Sequence, residues 1–160
     1  MRVVFLNLPV RDIAASRAFY GGLGFGFNEQ FSDERTASVV VADNIVVMLL
    51  TRDRFADFLP EGAEVGDPAK TTTVLNALSA ESREEADELL ARALASGGKA
   101  WMPAQDHGFM YGVSFTDPDG HVWEAVWMDP AAVQGPPGRG LGARRSLPSG
   151  PCPVLRSAPR

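Results

Sequence analysis

One cysteine, two histidines and no long apolar run narrow this 160-residue chain before any motif is read. Cys152, alone of its kind, cannot close an internal disulfide, and His107 and His121 have no Cys or His at zinc-like spacing. Neither disulfide staples nor a structural zinc is expected. No apolar stretch reaches the roughly 18 residues that span a bilayer, and Met1 to Phe5 run straight into a strand pattern instead of a signal peptide. A cytoplasmic chain without a membrane partner is the expectation. Basic charge is scarce too: residues 1 to 130 carry all 20 Asp and Glu but 10 of the 15 Lys and Arg, a balance near −10. Nucleic acid needs a basic footprint, so it is excluded as a partner, whereas cationic ligands suit such a body.

What is present supports one folded domain, because 45% of the residues are apolar. Val3 to Val10 reads as a strand with Phe5, Asn7 and Pro9 on one face, and Asp12 caps a helix over Ile13 to Leu23 that Gly21, Gly22 and Gly24 end. Extended segments follow at Gly26 to Phe31, Ala37 to Val41 and Ile45 to Leu50, the last two joined at Asp43-Asn44. Thr51 to Lys70, rich in Pro, Gly and charge, reads as a long loop, a linker that partly covers a site.

The pattern then repeats. A strand over Thr72 to Ser79 leads to a helix over Glu81 to Ser96, where Ser82 and Glu85 form a capping box and Gly97-Gly98 end it. Strands at Ala100 to Pro103, Met110 to Thr116 and His121 to Met128 complete the set. Two βαβββ units in tandem, residues 1–50 and 71–130 joined by 51–70, predict an α+β fold: two curled sheets forming an incomplete barrel around a cavity. Residues 131–160 change character, with 11 Gly or Pro, five arginines and no acid, the composition of a disordered tail.

The most informative stretch is Thr116 to Trp127. Asp117-Pro118-Asp119-Gly120 is turn chemistry, and in the strand after it Val122, Glu124 and Val126 share one face, His121, Trp123 and Trp127 the other. A carboxylate between two valines is costly to bury unless a cation, donor or ligand meets it. A solvated Glu on an exposed face is the plain alternative. The loop Gln105 to Gly112 is a second candidate: Phe109, Met110 and Tyr111 suit a planar guest, and equally a dimer interface. Trp101, Trp123 and Trp127 are assigned to core or subunit packing.

In order, Leu8-Pro9-Val10-Arg11-Asp12, Ser16, Ala18-Phe19-Tyr20, Leu23-Gly24-Phe25, Phe109 to Gly112, Phe115 to Glu124 and Trp127 to Pro130 resemble the vicinal oxygen chelate superfamily of glyoxalase I, bleomycin-resistance proteins and extradiol dioxygenases. The resemblance covers residues 1 to 130 and is nearest to glyoxalase-like members of undefined activity. It implies a homodimer and, in the metal-dependent members, a divalent ion held by one His or Glu on the first and one on the fourth strand of each unit. The matching positions here are Phe5, Met48, Leu75 (or its neighbours Val74 and Asn76) and Glu124, and Glu124 alone keeps a ligand type.

The expected product is therefore a metal-free cavity, without cofactor, that binds a small molecule. Phe5, Met48 and Leu75 supply apolar walls, Asn7 and Glu124 the polar anchors, and Phe109 and Tyr111 the mouth. Glu124 in that setting is expected to hold its proton more tightly than an ordinary carboxyl, acting as counter-ion or general base. A structural hydrogen bond from Glu124 to Asn7 or to a backbone amide, in a site that has lost its ligand, is the alternative. The second functional reading is a lyase or isomerase of the lactoylglutathione lyase type on a small carbonyl compound, with Glu124 as catalytic base or metal ligand.

Overall fold

The computed structural model describes residues 2–133. The first half runs β1 (Val4–Val10), α1 (Ile13–Gly22), β2 (Gly26–Phe27), β3 (Thr36–Ala42) and β4 (Ile45–Thr51). β1 lies parallel to β4, and β4 and β3 form a hairpin, giving the sheet order β1-β4-β3-β2. Asp12 caps α1 as predicted, its carboxylate accepting the Ala15 amide at 3.0 Å. The second half runs β5 (Leu75–Ser79), α3 (Arg83–Ala95), β6 (Lys99–Ala100), β7 (Gln105–Asp106), β8 (Met110–Thr116) and β9 (Val122–Met128). Its sheet has the same order, β5-β9-β8-β6, again with its first and last strands parallel. The chain is thus an α+β fold of two open sheets with no closed barrel. Among the described residues no helix is long and apolar enough to cross a membrane.

Local chemistry explains where the elements differ from expectation. The segment Gly26 to Phe31 is a strand for two residues only; Asn28 then turns its side chain onto the Gln30 amide and starts a 3-10 turn, Glu29–Phe31. A short helix, α2 (Arg52–Ala56), occupies the start of the expected loop, fastened by Arg35 to Asp53 and Asp57. The strand expected at Ala100 to Pro103 stops at Ala100, because the Met102 amide is taken by the Ser114 hydroxyl and Pro103 has no N–H to offer. In the capping box of α3, Ser82 accepts the Glu85 amide at 3.1 Å, while the Glu85 carboxylate reaches the amide of Glu81, one residue earlier than the pattern predicts. After β9 the described chain ends in the short helix α4 (Pro130–Val133). The disordered tail is expected over residues 131–160; its first three residues are instead helical in α4, and residues 134–160 lie outside the described residues.

The core lies where the two halves meet. α1 covers β3 and β4, and α3 covers β8 and β9. Phe19 and Tyr20 of α1 are fully buried and continue across the junction, their rings 6.3 Å from Phe115 and 5.9 Å from Trp123. Trp123 is therefore core, as expected, whereas Trp101 is 40% exposed and belongs to neither core. Gly98 permits this approach: a Cβ there would stand 2.6 Å from the Thr116 carbonyl and 2.7 Å from the Phe19 ring.

Candidate functional site

Alternation along β9 places Glu124 as the sequence predicts. Its neighbours across the sheet are Ala77 on β5 and Ser114 on β8, so Leu75, Met110, Gly112, Val122, Val126 and Met128 share its face, away from α3. That face carries a hollow of about 370 Å³ lined by Glu124, Leu75, Ser114 and Val126, and walled by Trp101, Met102, Pro103, Met110 and Met128. The volume is that of a small-molecule site. Glu124 is half-buried at its floor, and none of the ion pairs among the described residues includes it.

The other predicted residues divide into groups. Phe5 and Met48 lie with Asn7 on the corresponding face of the first sheet, where Asn7 pairs with Met48 and Phe5 with Val46. They do not line the Glu124 hollow, which draws on the second half alone. Asn7 instead borders a second hollow, of about 450 Å³, between β1 and the chain leading into β5, under Phe55 and residues 66–68 of the linker. A structural bond from Glu124 to Asn7 is therefore not formed. Phe109 stands 57% exposed at the loop tip. Tyr111 faces away from Glu124, its hydroxyl donating to Asp87 of α3 at 2.7 Å and its ring under the Arg83 guanidinium. Trp101, Met102 and Met110 take the place at the hollow that was expected of the two aromatic residues. Strict alternation back from Ser114 selects Met110 over Tyr111; Trp101 and Met102 leave no such signal, because they follow the end of a strand.

The register gives Phe5, Met48, Leu75 and Glu124, the four expected ligand positions, equivalent places in the two sheets. Leu75 pairs two residues before the Ala77–Glu124 pair, as Phe5 does before Asn7–Met48. Asn76 points the other way, buried, donating to the Val122 carbonyl at 3.1 Å, and Val74 precedes the strand. The set is phenyl, thioether, isobutyl and one carboxylate, which does not fit a divalent cation. Among the described residues no group of three His, Cys, Asp or Glu side chains is placed to hold a metal ion. His121 lies on the opposite face, where its Nε2 is 2.8 Å from the Pro9 carbonyl; since a carbonyl only accepts, Nε2 carries the proton.

Behind the hollow the Asp-Pro-Asp-Gly turn is locked to the first half. Asp117, 2% exposed, accepts the amides of Asp119, Gly120 and His121 at 2.9 Å each and the Tyr20 hydroxyl at 2.9 Å. Tyr20 in turn accepts the Trp123 indole N–H at 3.1 Å. Burial pushes the Asp117 carboxyl up, against the pull of His121, the Tyr20 hydroxyl and the backbone amides. The Tyr20 hydroxyl is held well above its usual range, first by burial and then by the adjacent carboxylate. Arg11 clasps the same turn, its Nε and backbone amide both 2.9 Å from Asp119. Gly120, with φ at +102°, lets the linker pass with Ala69 2.9 Å from where a Cβ would be. These contacts position β9, and with it Glu124.

Solved structures share this architecture. A hypothetical protein from S. aureus is 24% identical, with a TM-score of 0.66 over 79% of this chain and 94% of that one. A glyoxalase/bleomycin resistance protein/dioxygenase family enzyme from Burkholderia phytofirmans is 18% identical, with a TM-score of 0.68 over 80% and 99%. The fosfomycin resistance protein FosX of Listeria monocytogenes is 19% identical, with a TM-score of 0.58 over 79% and 93%. No curated protein matches the chain at a significant level. The sequence profile of one family matches residues 2–125, and with the paired open sheets on the same residues, this chain belongs to the Glyoxalase/Bleomycin resistance protein/Dioxygenase superfamily.

Proposed function

We propose that this is a small-molecule binding protein whose guest sits in the hollow over Glu124 without a metal ion. The observation that carries the reading is the composition of the hollow: apolar walls and, among the described residues, one carboxylate without an ion-pair partner and no donor set for a divalent cation. In this reading residues 1–50 and 71–130 are two copies of one unit and 51–70 is their linker, with 131–160 a separate C-terminal segment.

The proposal includes a homodimer. Phe5 is 60% exposed and Leu75 50%, each at or next to the start of an edge strand on an open sheet, where a second copy would cover them. A second copy that sets its first sheet over the Glu124 face would bring Phe5, Asn7 and Met48 of that copy to the hollow, and the predicted residues would then converge between chains.

The test uses the five methionines, three of which wall the hollow while Met48 marks the first sheet. Spectra of protein carrying 13C-methyl methionine are recorded with EDTA present against a panel of small aromatic and carbonyl compounds. Binders are expected to move Met102, Met110 and Met128, and, in the dimer, Met48. Failure of every compound to move these methyls, or movement that requires an added divalent ion, would overturn the reading.

A further inference from the structure

Resting on that binding site, and deepening it, we propose that the guest is an organic cation carrying an aromatic or methylated group. Three observations converge on this class. First, the Glu124 carboxylate lies between Val122 and Val126 on the sheet face and has no Lys or Arg partner among the described residues, so its charge is uncompensated in a largely apolar recess. A guest of opposite charge gains from that contact; a neutral guest does not, and an anion is repelled. Second, the walls are soft and electron-rich. Trp101 offers an aromatic ring, and Met102, Met110 and Met128 offer polarisable thioethers, all bordering the same hollow. A cation on an aromatic face and sulfur against aromatic or methyl groups are both favourable contacts, and a diffuse organic cation loses less hydration on entering than a metal ion or a primary ammonium. Third, residues 1 to 130 carry twice as many acids as bases, so the field around the site draws cations toward it.

Among the described residues no Lys, Arg or His lines the hollow to reject such a guest, and the other polar groups there, Gln105 and Ser114, are neutral. The Ser114 hydroxyl already accepts the Met102 amide, which fixes the methionine wall relative to the strand that pairs with Glu124. About 370 Å³ accommodates an aromatic ring with a trimethylammonium group.

The experiment compares benzyltrimethylammonium with neopentylbenzene, its carbon isostere of nearly identical shape and no charge, on the full chain labelled at its methionine methyls. The cation is expected to bind about tenfold tighter or more, with shifts at Met102, Met110 and Met128, and added salt should narrow the gap. Glu124→Gln should bring the two probes to similar affinity while the spectrum of the free protein keeps its dispersion. Equal affinity of the two probes for the wild-type chain overturns the cation inference but leaves the binding site standing, and needs no variant. Silence of all three methyls toward both probes overturns the binding site itself.

Discussion

Asp117 offers the sharpest test of how the site is held. Its carboxylate is 2% exposed and takes four donors, three backbone amides and the Tyr20 hydroxyl. Asp117→Ala strands the Asp119 and His121 amides and the Tyr20 hydroxyl, while the Gly120 amide keeps its bond to the Asp117 carbonyl at 3.1 Å, and a buried unsatisfied donor costs about 1–3 kcal/mol. Part of that is recovered as water enters or the turn relaxes, so the expected loss is about 3–5 kcal/mol, at the level of breaking a buried network. Asp117→Asn is milder, because one side-chain oxygen can still serve the three amides. Its new N–H₂ faces a hydroxyl that must then accept, and the Tyr20 proton loses its acceptor, so about 1–3 kcal/mol is expected. Tyr20→Phe removes the same bond from the other side and also strands the Trp123 indole N–H. The two changes act on one contact, so the double variant should be less damaged than the sum of the single ones by about 1 kcal/mol. Urea unfolding with equal m-values across the five proteins, wild type included, is the assay. Strict additivity, or an Asp117→Ala loss below about 1 kcal/mol, would refute the network.

Other outcomes follow from the same structure. Asp106, bonded first to Arg83 and then to the Gly108 amide, has its carboxyl lowered to about 2; a carboxyl NMR titration should show this, and Arg83→Ala should return it toward the ordinary 3.8. Because the folded value is depressed, the tether stabilises above the unfolded value and is lost as pH falls from about 4 toward 2, which salt-dependent acid unfolding will register. Gly98→Ala should destabilise by about 1–3 kcal/mol through overpacking, since its neighbours are backbone and a buried ring. Ser82→Ala should cost about 1 kcal/mol by removing the cap of α3. Glu124→Leu should leave stability unchanged or raise it slightly while abolishing preference for a cationic guest, as expected when a costly group is kept for binding.

Much of the fold was legible because its signals are local. Asp12 and Ser82 mark helix starts, Asp-Pro-Asp-Gly marks the last turn, and period-two alternation assigns Glu124 its face. The helix at Arg52–Ala56 was not legible: five residues carry too little periodicity, and its fastening to Arg35 is tertiary. Composition alone suggested a strand through Trp101 and Met102, whereas the competition for the Met102 amide is decided by Ser114, 12 residues away. The site was half legible for a similar reason. Alternation shows which residues share a sheet face, but whether two such faces meet depends on how the helices pack between the halves. Here Phe19 and Tyr20 carry α1 across to Phe115 and Trp123, and Phe5 and Met48 are left on a different surface from Glu124.

The central claim is that one carboxylate among apolar side chains holds a guest and no metal ion. Titrating nickel and zinc into chelator-treated protein, with bound metal counted after desalting, tests it directly. The account predicts binding far below one ion per chain and no change on Glu124→Gln. One tightly held ion per chain that disappears in Glu124→Gln would contradict it.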